Sequence, residues 1–174
     1  MKELLQTVVF VFRHGKTDHR YSLNGAKDDT RVLSEQGRGE AEKIGRYLRD
    51  FAPAAIFSSP RKRCIETAQL IQKSGEIVGQ ITISEELSEV YSWQEHHHRP
   101  AQMAAYLQKI VADSPGQQLV IVSHQWPLEK FLSLLGFHHN EIDAPCLMGQ
   151  GYRLVFAGDV PVECQKINPA EVGK

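Results

Sequence analysis

One stretch constrains this chain more than any other: Val8-Val9-Phe10-Val11-Phe12-Arg13-His14-Gly15-Lys16-Thr17. Its first half is an unbroken run of β-branched and aromatic side chains, the pattern of a strand buried on both faces of a parallel sheet. Its second half changes character within one residue and brings a guanidinium, an imidazole and a glycine together. Burying polar groups without partners costs several kcal/mol (~2–7 for a neutral group). The strand is therefore expected to end at Phe12, with Arg13 and His14 at its carboxyl end. In open α/β sheets that edge is where ligands bind.

The rest of the chain repeats this sequence of apolar strand and polar end. Residues 18–33 are polar, with Asn24-Gly25 and Asp28-Asp29, and form a long loop of the kind that is often functional at a sheet edge. Ser34 reads as the N-cap of a helix running to about Asp50, with Ala41, Ile44, Leu48 and Phe51 on its apolar face. Ala54-Ala55-Ile56-Phe57 is a second strand. Ser59 is expected to cap, and Pro60 to open, a helix that ends at Ser74-Gly75. Helical side chains lean toward the N-terminus, so Arg63 points back at the strand end. Ile81-Thr82-Ile83 is a short strand, and a further helix is expected to start near Pro100. Leu119-Val120-Ile121-Val122 is again a buried strand, ended by Ser123-His124. A helix opens at Pro127 and closes at Gly136, and strands follow around Tyr152 and Val160.

This alternation predicts an α/β fold: a single three-layer α/β/α domain with a mostly parallel central sheet. The domain is expected to span residues 1–167, leaving 168–174 as a polar C-terminal tail. A chain of 174 residues, 41% of them hydrophobic, can bury one such core. With 20 basic and 21 acidic residues, it lacks the basic footprint of a nucleic-acid or membrane-surface binder. It has no apolar run near membrane-spanning length and no secretory h-region. The three cysteines, Cys64, Cys146 and Cys164, are widely spaced without a C-x-x-C pair, which suits reduced packing thiols in a cytoplasmic protein. His96-His97-His98 is expected to be an exposed loop bordering the pocket, since adjacent residues rarely converge on one ion. His138-His139 reads as a charge complement to a helix end, and Trp126 as a pocket wall or a packed side chain.

Three polar clusters thus follow buried strands: Arg13-His14-Gly15, Ser58-Ser59-Pro60 leading to Arg63, and Ser123-His124. Parallel strands share a direction, so the clusters share one sheet edge. Two imidazoles, two guanidiniums, hydroxyls and a helix N-terminus suit a phosphoryl group, and a neutral imidazole is a nucleophile that can accept phosphorus.

Arg13-His14-Gly15-Lys16-Thr17 resembles the R-H-G-x-T signature of the histidine phosphatase, or phosphoglycerate mutase-like, superfamily. Leu33-Ser34-x-x-Gly37-x-x-Glu40-Ala41, Ser58-Ser59-Pro60-x-x-Arg63-x-x-x-Thr67-Ala68, Leu87-Ser88-Glu89 and Val122-Ser123-His124 match its later blocks in order. The resemblance implies that His14 is the nucleophile and that Arg13, Arg63 and His124 grip the phosphoryl oxygens. It implies that Glu89 is the general acid and then the base. Gly15, Thr17 and Ser58 join the substrate-binding set, and no metal or other cofactor is called for.

The chain departs from the family at three points. Arg20 stands where many members carry Asn, and either adds a third guanidinium or stays solvated. Trp93 replaces a common Gly after Glu89, which leaves Glu85, Glu86 and Glu95 as alternative acids. Gln125-Trp126-Pro127-Leu128 replaces Gly-Gly after the second His, an ending similar to the short SixA-type phosphohistidine phosphatases. The implied activity is a metal-independent phosphatase acting on a phosphorylated small molecule or a phosphohistidine protein. A phosphoglycerate mutase and a non-catalytic phosphoprotein-binding module are the alternatives. Monomer and dimer both stay open.

Overall fold

The computed structural model describes residues 5–18, 28–90, 93–137 and 145–171, with the backbone alone for 93–96. Arg20, Asn24-Gly25 and His138-His139 lie outside the described residues, as do the side chains of Glu95 and His96. Among the described residues the strands are β1 (Gln6–Arg13), β2 (Ala55–Ser58), β3 (Ile81–Ile83), β4 (Gln118–Ser123), β5 (Gly151–Ala157) and β6 (Val160–Ile167). They form one sheet in the order β3-β2-β4-β1-β5-β6. The first four run parallel, while β5 and β6 are antiparallel additions at one side. The helices are α1 (Glu35–Leu48), α2 (Lys62–Gly75), α3 (Trp93–Ala112) and α4 (Gln125–Leu134). None of them is long and apolar enough to cross a membrane.

The three layers follow from the alternation within the central strands. Val9, Val11, Leu119 and Ile121 pack with Met103 and Leu107 of α3 and Leu128 and Phe131 of α4. Phe10, Phe12, Val120 and Val122 face the opposite side, against Ile44 and Leu48 of α1 and Cys64, Ala68 and Ile71 of α2. A strand apolar at every position is thus buried on both faces, as its composition requires. β1 extends one residue past the expected end, because Arg13 still pairs with Ser123 of β4.

Helix starts differ from the sequence reading: α4 begins at Gln125, directly after its N-cap His124, rather than at Pro127. α3 begins at Trp93, so Pro100 lies inside it and His96-His97-His98 belongs to a helix rather than a loop. Proline is favoured in a first helical turn, which made residue 100 look like a start. The helix instead absorbs one missing N–H, held by its buried face and by Arg99, whose Nη1 donates to Glu85 O at 2.6 Å. α2 begins at Lys62 with Arg61 as N-cap, not at Pro60 with Ser59 as cap. The Ser59 hydroxyl accepts from Arg61 N at 3.3 Å, before the helix, and lies 2.9 Å from His124 Nε2. Within the 168–174 segment, Asn168 Oδ1 accepts from Ala170 N at 3.2 Å, and Pro169 is buried.

Candidate active site

The registers place three strand ends together. Arg13 of β1 pairs with Ser123 of β4, and Ser58 of β2 pairs with Val122, so His14, Ser59 and His124 leave the sheet side by side. Two bonds extend the ladders into the site: His14 N to Ser123 O and Ser59 N to Val122 O, both 3.0 Å. Glycines set the approach of the loop after β1. A Cβ on Gly15 would meet Gly37 O at 2.5 Å, and one on Gly37 would meet Lys16 O at 2.0 Å. Only two glycines let the loop lie on the first turn of α1. Gly15 N then donates to Thr67 Oγ1 on α2 at 3.2 Å.

His14 is 4% exposed. Its Nδ1 lies 2.8 Å from Gly15 O, and a carbonyl only accepts, so Nδ1 carries the proton and Nε2 the lone pair. Arg63 Nε donates to that Nε2 at 3.2 Å. Burial, reinforced by the Arg63 guanidinium, pushes the pKa of His14 down to about 3, so the ring is neutral near pH 7.

Arg63 is fully buried and organises the floor. Its Nη1 donates to Asp28 O at 2.8 Å, and its Nη2 lies 3.1 Å from Glu89 Oε2 and 3.2 Å from both Asp28 Oδ2 and His124 Nδ1. Asp28, itself fully buried, ties this cation to a second one: Arg31 Nε lies 2.6 Å from Asp28 Oδ1. The rings of His14 and His124 are 5.3 Å apart between centroids. His124 is held well below its ordinary pKa by burial and then by Arg63.

Of these groups His14 reaches a cleft of about 520 Å³, lined also by Arg13, Thr17, Arg31 and Glu89, with Lys16, Asp18, Gln125, Trp126, Glu129 and Met148 toward its mouth; Arg63, Asp28 and His124 are fully buried beneath it. Arg13 Nη1 donates to Cys146 O at 3.1 Å, and its buried Nε has no partner among the described residues. Thr17 is buried and accepts from Arg31 Nη1 at 3.0 Å. Ser58 turns away, its hydroxyl donating to Ser59 O at 3.0 Å. Of the alternative acids, Glu85 pairs with Arg61 at 3.4 Å and Glu86 bonds the Ser84 hydroxyl, so neither faces His14. Arg61 is committed to Asp29 at 2.9 Å. His97 and His98 are exposed on α3 and do not line the cleft. Among the described residues no three His, Cys, Asp or Glu side chains converge as a metal site. Cys64 and Cys146 are buried thiols whose pKa burial pushes up to about 12.

Sequence reasoning missed Asp28, Arg31 and the role of Ser59. A signal for Asp28 existed: a buried arginine needs a carboxylate, and Asp28-Asp29 is the acidic pair in the adjoining loop.

Known proteins share this fold and parts of this sequence. A phosphoglycerate mutase from Bacillus anthracis str. Sterne superposes with a TM-score of 0.79 at 18% identity, covering 95% of this chain and 94% of that one. The protein histidine phosphatase SixA, complexed with tungstate, gives 0.73 at 16% identity, covering 95% and 99%. Among curated proteins, the uncharacterized phosphatase PhoE of Bacillus subtilis (strain 168) is 33% identical over 67 residues, 38% of this chain and 35% of that protein. The fructose-2,6-bisphosphatase TIGAR B of Danio rerio is 36% identical over 70 residues, 39% and 27%. The matched segments thus span about a third of those relatives. The family model for the histidine phosphatase superfamily (branch 1) matches residues 9–104, more than half of the chain. With its signature His14 and Arg63 meeting at one strand edge inside that match, the chain belongs to the histidine phosphatase superfamily.

Proposed function

We propose that this protein is a phosphatase that hydrolyses a phosphomonoester or a phosphohistidine through a phospho-His14 intermediate, without a metal. The observation that carries the reading is the state of His14: a neutral ring whose Nδ1–H is anchored on Gly15 O, leaving the Nε2 lone pair beside a buried guanidinium. Nε2 attacks phosphorus while the bond to the leaving group breaks. The Glu89 carboxyl, within 3.1 Å of Arg63 and 3.6 Å of His124, gives its proton to the departing atom. The resulting carboxylate takes a proton from water, which displaces His14 and releases phosphate. Arg13, Arg63 and His124 hold the non-bridging oxygens, the two guanidiniums supplying the positive charge this transfer needs. Thr17 and Gly15 shape the loop under the phosphoryl group. Ser58 serves β2 and the turn that carries Ser59.

The test is turnover of an aryl phosphate and of a phosphohistidine peptide in the presence of a chelator. Phosphate release that disappears in His14→Ala, together with an acid-labile, base-stable phosphoprotein in rapid-quench samples, is the expected result. Isomerisation of a phosphoglycerate outrunning phosphate release would assign a mutase instead. Tight phosphopeptide binding without turnover would assign a binding module.

A further inference from the structure

His124 has two faces, and they are not equivalent. The ring is fully buried, and its Nδ1 lies 3.2 Å from Arg63 Nη2, at hydrogen-bond distance, and 3.6 Å from Glu89 Oε2, on the side of the ring toward His14's partners. Its Nε2 looks away, 2.9 Å from Ser59 Oγ and 3.5 Å from Cys64 Sγ. An N–H at Nδ1 would point at a guanidinium, which only donates. The proton of the neutral ring is therefore better placed on Nε2, where the Ser59 hydroxyl accepts it. That hydroxyl is itself fixed, since it also accepts from Arg61 N at 3.3 Å.

We infer that Ser59 is a positioning residue that holds His124 as the Nε2–H tautomer, so that the ring meets the phosphoryl group with a bare Nδ1 and takes a proton from it. The inference rests on the proposed phosphoryl site and adds the protonation state in which the substrate is recognised. A phosphate monoester titrates between mono- and dianion near pH 6. The monoanion carries one P–O–H. Its proton passes to Nδ1, leaving a dianionic phosphoryl group against an imidazolium whose Nε2–H stays on Ser59. The same proton returns to the oxygen when phosphate leaves. A ring with Nδ1 already protonated has no such capacity.

The surroundings fit this assignment. The groups facing His124 are Arg63 and Cys64 from α2, His14 and Arg13 from the end of β1, Arg61 from the turn before α2, and Glu89. Most of the charge is positive, and together with burial it keeps the free ring neutral. Arrival of an anion reverses that balance locally. Cys64 does not substitute for Ser59, because its Sγ is farther from Nε2 and a thiol is a weak acceptor.

Long-range proton–nitrogen correlation spectra of the intact protein, with and without inorganic phosphate, read the tautomer directly. The expected result is Nε2 protonated and Nδ1 bare in the free protein, and both nitrogens protonated with phosphate bound. In Ser59→Ala the free ring should lose its preference for Nε2–H, and kcat should fall about 10- to 100-fold with a much smaller change in KM. Ser59→Thr, which keeps the hydroxyl, should restore both readouts. A free protein with His124 protonated on Nδ1, or an unchanged tautomer in Ser59→Ala, overturns the inference. Phosphate that binds and shifts His14 while leaving His124 Nδ1 bare overturns it too, but leaves the proposed function standing. Phosphate that perturbs neither histidine removes both.

Discussion

The floor of the cleft and its mouth are built differently. At the floor, His14, Arg63, Asp28, Ser59 and His124 are all buried, and each is bonded to groups distant in the chain. At the mouth, Lys16 and Asp18 are exposed, while Gln125, Trp126, Glu129 and Met148 are half-buried. The floor is oriented before any substrate arrives, which is what electrostatic stabilisation of a transferring group requires. The mouth offers mixed charge and an indole. On the proposed function, the floor carries the chemistry and the mouth meets the leaving group, and substitutions in the two should then fail in different ways.

The largest effect is expected at the nucleophile. His14→Ala should lower kcat by a factor on the order of 10⁴ or more, because among the described residues no other imidazole nitrogen is held as His14 Nε2 is, in the lining of the cleft beside Arg63. Quenched-flow labelling should find no phosphoprotein, while circular dichroism stays native. Residual turnover within tenfold of wild type would break the division between floor and mouth at its centre.

Arg63 comes next and separates two roles of one side chain. Arg63→Ala should cost about 10²–10³ in kcat. It should also destabilise the fold by about 3–5 kcal/mol, because Asp28 loses a buried partner. Adding Asp28→Asn removes a buried charge left with Arg31 as its remaining cation, and should recover part of the stability in urea titrations, with no recovery of rate. If rate and stability return together, Arg63 acts through the fold alone.

A smaller signature is the response of the floor to acid. His14 has a folded pKa near 3 and His124 one well below its ordinary value, both lowered by burial. The unfolded chain therefore binds protons that the native state refuses, and stability falls as pH drops from about 6.5 toward 3. Above about 6.5 the two rings contribute no slope. Denaturation midpoints measured across this range should fall less steeply in His14→Gln than in wild type. Equal slopes would mean the imidazole already titrates in the native state.

The layering also explains what the chain disclosed before folding. Val8 to Phe12 and Leu119 to Val122 are apolar at every position, so two-faced burial and the shared edge were readable from composition alone. The signature residues His14, Arg63 and His124 were readable because each directly follows a strand or opens a helix. Asp28 was harder, since a loop with several acids gives no local sign of which one is swallowed by a distant arginine. Ser59 was misassigned because a Ser-Pro pair carries the local signal of a helix cap, and the competing partner, His124, lies far along the chain. Pro100 misled for a related reason. Local propensity favoured a helix start, while tertiary packing of α3 carried the helix through it.

The mouth supplies the gentlest test. Glu129 Oε1 accepts from Cys146 N at 3.1 Å, and Cys146 O in turn accepts from Arg13, so this rim residue is linked to Arg13 through a backbone segment as well as by its charge. Trp126 lines the cleft from the first turn of α4, next to the N-cap His124. Trp126→Ala should therefore raise KM for an aryl phosphate roughly 3- to 10-fold through lost ring contact, with kcat within about twofold. For a phosphate on a small aliphatic leaving group, the same substitution should change KM by less than about twofold. A matching loss of kcat on both substrates would place the indole among the groups that hold the floor, and the separation of layers would have to be redrawn around α4.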